Sequence, residues 1–220
     1  MSRAAALLER HAAALDGACT IPFVRQVAEG TLSDDDLARY LLVEEAFVLT
    51  ASRVLGRVVW ESTTWDELLP HATSLTNLVT DQRDYFAGLR GRWPVAEEEV
   101  PRVLARARVL DETVLAQVEE GGRAAAVVGM YAAETMYARW CGAVVEVAAP
   151  RQPDLQAWVQ LHAEPAFLAQ VDALRADVDA LDPAAATDAD LDRWYAAVLA
   201  AEVEFHAAAM TSSDAAGPPG

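Results

Sequence analysis

Apolar residues recur along this chain every three or four positions and seldom every second one, which predicts helices and little or no sheet. Residues 2–15 form a first helix, and 21–28 a second, with Pro22 in its first turn and Gly30 at its end. Ser33 caps a third, which opens on Asp34-Asp35-Asp36 at the positive end of its dipole and runs to about Trp60. Residues 65–89 read as a fourth helix, with Trp93-Pro94 in the loop beyond. Pro101 opens a fifth that ends near Gly121-Gly122, and a sixth spans 122–147. Pro150 and Pro153 then break the chain. A broken pair follows at 155–162 and 165–181, and Thr187 caps a last helix running to about Met210. Residues 211–220, TSSDAAGPPG, have no apolar period and read as a disordered tail. There is no internal repeat and no sign of a second domain. The expectation is one all-α helical bundle over 1–210.

The stretch GRAAAVVGMYAAETMYARWCGAVVEV, 122–147, is apolar or small on most faces and belongs at the centre of that bundle. Val127, Met130, Glu134, Tyr137, Cys141 and Val144 share one stripe, so Glu134 stands where a core residue is expected. A carboxylate there needs hydrogen-bond partners or keeps its proton. Two other helices repeat the anomaly. Glu44 and Glu45 interrupt the run from Tyr40 to Leu49, and at least one of them lies near the buried side. Glu202 falls in the stripe Leu191, Tyr195, Val198, Glu202, Phe205, Ala209, whereas Glu204 lies on the alanine side and reads as solvated. A single buried-face acid is commonly a paired structural group. Three, on separate helices with aromatic neighbours, point to a shared polar pocket between facing helices.

Composition narrows the function classes. With 220 residues, 53% of them hydrophobic, the chain can bury a sizeable core. Its formal net charge is -17, and every basic side chain is arginine, which argues against nucleic-acid and anionic-membrane partners. No apolar run reaches membrane-spanning length, and the N-terminal pattern is an amphipathic helix rather than a signal peptide, so the expected compartment is the cytoplasm. Cys19 and Cys141 are too few and too far apart for a disulfide framework or a zinc site. Trp60, Trp65, Trp93, Trp158 and Trp194 read as packing residues at helix ends, and Glu97-Glu98-Glu99 as a solvated run. His162 and Glu164, at the break of a helix pair, read as lying outside the pocket.

PFVRQVAEGTLSDDDLARYLLVEEAFVL resembles the opening of the TenA (thiaminase II-like) family. LQAWVQLHAEPAFLAQVDALRADVDAL resembles its later segment, and AEVEFHAAAM its terminal Glu-x-x-Phe-Trp signature, with His206 in place of Trp. ETMYARW is similar to the branch that carries Glu where others carry a nucleophilic Cys. The resemblance implies a heme-oxygenase-like fold, a homo-oligomer (tetramer or dimer), and no metal or cofactor. It also implies hydrolytic removal of an amine, or a formylamine, from the aminomethyl carbon of a 4-amino-2-methylpyrimidine. Carried over by position, Glu45 is the acid that grips the pyrimidine, with Glu44 beside it. Glu134 and Glu202 are then the catalytic pair, and Phe47, Tyr137, Phe205 and His206 complete the substrate's surroundings. A tyrosine frequent in the helix before the central one is missing from RARVLDETVL.

Two other function classes compete. Glu202-x-x-x-His206 places a carboxylate and an imidazole one turn apart, a spacing compatible with an iron-dependent oxygenase on the same fold. Against it, Glu134-x-x-Tyr137 lacks the histidine a di-iron site wants, and the other histidines, His11, His71 and His162, form no Glu-x-x-His pair. A small-molecule-binding protein without catalysis would use the same carboxylates.

Overall fold

The computed structural model describes residues 1–210, and the tail inferred at 211–220 lies outside them. Among the described residues the elements are α1 (Arg3–Arg10), α2 (Ala12–Ala18), α3 (Pro22–Glu29), α4 (Asp34–Glu61), α5 (Trp65–Asn77), α6 (Arg83–Arg90), α7 (Val100–Val145), α8 (Pro153–Leu161), α9 (Pro165–Ala180) and α10 (Asp188–Ala209), with no strand. The single all-α domain expected from the periodicity is what forms.

Local signals set several boundaries. Ser33 Oγ accepts the Asp36 backbone N–H at 3.1 Å, capping α4, and Thr187 and Asp190 form a reciprocal capping box on α10. Gly30 ends α3 in the left-handed conformation, φ 69°, packed so closely on Pro150 that a Cβ would collide with its carbonyl. Two expected helices are subdivided. The first breaks at His11 into α1 and α2, and the fourth relaxes into a π-helical turn, Leu78–Gln82, between α5 and α6.

The fifth and sixth expected helices meet where the glycine pair predicts. Gly122 has φ 56° and ψ -137°, a conformation open to glycine, and it divides α7 into arms 100–121 and 123–145. A Cβ built on Gly129 would lie 3.6 Å from Gln117 Oε1. A straight helix would hold those residues about 18 Å apart, so the arms fold back on each other as antiparallel helices. Glu61, at the end of α4, accepts the Arg123 N–H at 2.6 Å and so satisfies an orphan donor where the second arm begins.

The second arm is the buried centre of the molecule: Val127, Ala132, Met136 and Cys141 are fully buried. α10 runs antiparallel to the first arm. Gln117 Nε2 donates to the Trp194 carbonyl at 3.3 Å, and Arg106 Nη2 to the Ala207 carbonyl at 2.8 Å. α4 runs opposite to α10, its Arg39 Nε donating to the Ala209 carbonyl at 2.8 Å. These four helical segments surround one slot, and α5, α6, α8 and α9 close its open side.

Candidate active site

A cavity of about 440 Å³ occupies this slot. Its α4 wall extends from Glu44 to Leu55, roughly 16 Å at the helical rise. Because α4 opposes both the second arm and α10, its beginning lies beside their later residues. Glu44 in the first half of α4, Glu134 midway along the second arm and Glu202 in the second half of α10 therefore converge at one end. The mouth lies between the π turn, with Asp81, and the α8–α9 junction, with Glu164. A π turn at a cavity wall is a common way to aim side chains into a site.

The acidic end is ordered by hydrogen bonds. Trp158 Nε1 donates to Tyr40 Oη at 3.0 Å, and Tyr40 Oη lies 3.4 Å from Tyr137 Oη. Tyr137 Oη donates to Glu44 Oε1 at 2.5 Å. Gln170 Nε2 donates to Glu134 Oε1 at 3.3 Å, while its Oε1 accepts the Ser74 hydroxyl, also at 3.3 Å. Glu202 is 1% exposed and its Oε2 has no hydrogen-bond partner.

Burial pushes Glu44 up to about 7 against the opposing pull of the Tyr137 and Tyr40 hydrogen bonds. Burial, then the neighbouring Glu44, pushes Glu134 up to about 8. Glu202 rises well above the carboxylate range through burial, reinforced by Glu44 and Glu134. The three therefore titrate as a linked group and retain protons near neutrality. Carboxyls that can both give and receive a proton at neutral pH are what acid–base chemistry on an uncharged bond needs.

The structure brings Glu44, Phe47, Glu134, Tyr137, Glu202 and Phe205 onto this cavity; Phe47 and Phe205 meet edge to face, their ring centres 5.7 Å apart. Two of the eight residues inferred from the sequence are not there. Glu45 points off the cavity and pairs with the exposed Arg90, because a one-residue step turns the side chain about 100° around the helix. The acid that α4 turns to the cavity is therefore Glu44. His206 is fully buried behind the wall, among Phe23, Tyr40, Tyr137 and Trp140, so its placement against the substrate is corrected as well. Its Nδ1 lies 2.8 Å from the Glu202 carbonyl, an acceptor only, which puts the ring proton there. Burial lowers its pKa to about 4, so the ring is neutral. In the pair that suggested an iron ligand spacing, Nδ1 is thus bonded to the helix backbone and Nε2 is buried behind the cavity wall with no partner among the described residues.

Other cavity residues were misread or missed. His162 and Glu164 both line the cavity, and so does Trp158, which does more than pack. His162 Nδ1 donates to the Trp158 carbonyl at 2.8 Å, and its ring stands 5.0 Å from that of Tyr137. Gln170 is not legible in the sequence, because one amide on a mixed apolar and polar helix such as α9 carries no mark of its partner. Tyr40 carried a usable signal: a tyrosine one helical turn before Glu44, within hydrogen-bonding reach. Cys141 is buried away from the cavity and Cys19 lies on another groove, so neither thiol faces the glutamates.

No helix among the described residues is long and apolar enough to cross a membrane. No curated protein matches the sequence significantly. Solved structures do match the fold. A TenA homologue from P. horikoshii OT3 superposes with a TM-score of 0.81 at 16% identity, covering 95% of this chain and 98% of the other. A TenA homologue from Pyrococcus furiosus gives 0.81 at 16%, with 94% and 100% covered. A protein from Silicibacter sp. TM1040, described as a TenA family transcription regulator, gives 0.79 at 16%, with 93% and 95% covered. The TENA/THI-4/PQQC family model matches residues 11–212, nearly the whole length over which this helical cavity is built, and the chain belongs to that family.

Proposed function

We propose that the cavity hydrolyses an aminopyrimidine, cleaving an amine or formylamine from the aminomethyl carbon of a 4-amino-2-methylpyrimidine. The observation that carries the reading is the convergence of Glu44, Glu134 and Glu202, from three different helical segments, at one end of an otherwise mostly apolar slot. An aminopyrimidine edge offers a donor beside a ring-nitrogen acceptor, and a carboxyl group answers both. Glu44 takes this part, fixed by Tyr137, with Phe47 and Phe205 beside the ring.

Glu202, whose pKa is raised by burial and by the neighbouring Glu44 and Glu134, keeps a proton to give to the leaving nitrogen. Glu134, steadied by Gln170, takes a proton from water in its carboxylate form. The C–N bond breaks, a C–O bond forms, one water is consumed, and the products are the hydroxymethylpyrimidine and a free amine, or formamide from the formylamine. No metal or cofactor enters this scheme. A regulatory role like that named for the Silicibacter protein gains no support, since the cavity mouth and the molecule as a whole are acidic.

The test is turnover of 4-amino-5-aminomethyl-2-methylpyrimidine and its N-formyl derivative in labelled water. The reading requires ammonia from the first compound, or formamide from the second, in amounts equal to the hydroxymethyl product, with the label in the new hydroxyl. Inertness toward both compounds would remove it.

A further inference from the structure

The charge and shape of the cavity restrict its ligand beyond the pyrimidine ring. Five carboxyl side chains line it, Glu44, Asp81, Glu134, Glu164 and Glu202. Among the described residues no arginine lines it, the chain has no lysine, and burial keeps the lining His162 neutral, its pKa lowered to about 4. An anionic group would enter past two acids and find no cation to meet it, whereas an ammonium group would find carboxyls at the mouth and at the inner end. Away from the glutamates the slot changes character. Ala51, Val54 and Leu55 of α4 face Val114 and Val118 of the first arm and Ala126 of the second. Gln117 joins this stretch, but one N–H of its amide goes to the Trp194 carbonyl, the amide carries no charge, and its Oε1, unpartnered among the described residues, is an acceptor.

A single substituted ring at the acidic end is much shorter than the roughly 16 Å wall of α4 and would leave this apolar lobe unfilled. We infer that the site takes a basic amine whose nitrogen carries an uncharged, apolar substituent of several carbons, the nitrogen lying among the glutamates, which share its proton, and the substituent in the lobe. The inference deepens the proposed function and rests on it for the placing of the ring. The leaving group is then an apolar amine rather than ammonia alone, and phosphorylated or carboxylated amines are refused.

Three ligands test it: 4-amino-5-aminomethyl-2-methylpyrimidine, its N-benzyl derivative and its N-carboxymethyl derivative, each titrated calorimetrically into the full chain. The N-benzyl compound should bind at least about tenfold more tightly than the parent, and the N-carboxymethyl compound about tenfold more weakly. Ala51→Phe, which fills the lobe without touching a glutamate, should abolish the benzyl advantage and leave parent affinity within about twofold. If the parent binds and the benzyl group adds nothing, or the carboxymethyl compound binds as well, this inference is overturned and the aminopyrimidine reading stands. If the benzyl derivative binds tightly but neither it nor the parent is hydrolysed, the hydrolase reading falls and the ligand class stands. If none of the three binds, both are lost.

Discussion

Glu44 and Glu45 show how far a sequence can locate a site at the level of single residues. Apolar spacing places an acid near the buried side of α4 but cannot choose between neighbours on a helix buried over much of its girth. Packing makes the choice, setting Glu44 under Tyr137 and Glu45 against Arg90. Glu45→Gln should therefore leave kcat and KM within about twofold, whereas Glu44→Gln should raise KM chiefly, because the ring contact exists in the ground state as well. Tyr137 has its own signature. Its hydrogen bond favours the Glu44 carboxylate, so Tyr137→Phe should move the Glu44 limb of the kcat/KM–pH profile upward from about 7. An unmoved limb would mean that the hydroxyl does not govern that titration.

The helices were largely legible because their punctuation is local. Ser33, Thr187, Pro22, Gly30 and the Gly121-Gly122 pair stop or start the chain where their chemistry requires. The relation between elements was not. Nothing near Gly122 announces that the arms fold back, nor that the α8–α9 junction carries His162 and Glu164 to the cavity, since those placements depend on contacts distant in sequence. The fold-back can be probed directly. Gly122→Ala would force a Cβ into the left-handed region, about 2.9 Å from Glu61 Oε2, and displace the carboxylate that caps the second arm. Chemical denaturation should show a loss of roughly 2 kcal/mol or more, against no loss or a gain of up to about 1 kcal/mol for Gly88→Ala, a helical position where a Cβ meets nothing. Equal costs would contradict the strained turn.

For the whole molecule, the buried acids and histidines impose opposite pH trends. Glu44 and Glu134 are raised to about 7 and 8 in the fold from an ordinary 4.5, so the folded state holds more protons there. Their burden on stability grows as the pH rises through that interval. His162 and His206 are depressed to about 4 from 6.5, so the stability of the fold with respect to them is lost as the pH falls below about 6.5. Between pH 4.5 and 6.5 the effects oppose, and above that the carboxyls act alone. Thermal melts should show a Tm falling by several degrees between about pH 6.5 and 9, and Glu134→Gln should flatten that fall. A wild-type Tm unchanged over this interval would refute the raised carboxyls. Gln at position 134 or 202 should cost little stability or add some, as a buried group prone to ionise is replaced by a neutral one.

The account turns on Glu134 and Glu202 acting together on one C–N bond while Glu44 holds the ring, and the most direct measurement is ammonia release from saturating 4-amino-5-aminomethyl-2-methylpyrimidine by wild type, Glu134→Gln, Glu202→Gln and Glu45→Gln. The account predicts measurable turnover by wild type and Glu45→Gln alike, and a fall of about a hundredfold or more in kcat for each of the other two, whose melts remain native. Full activity in Glu134→Gln or Glu202→Gln would contradict it.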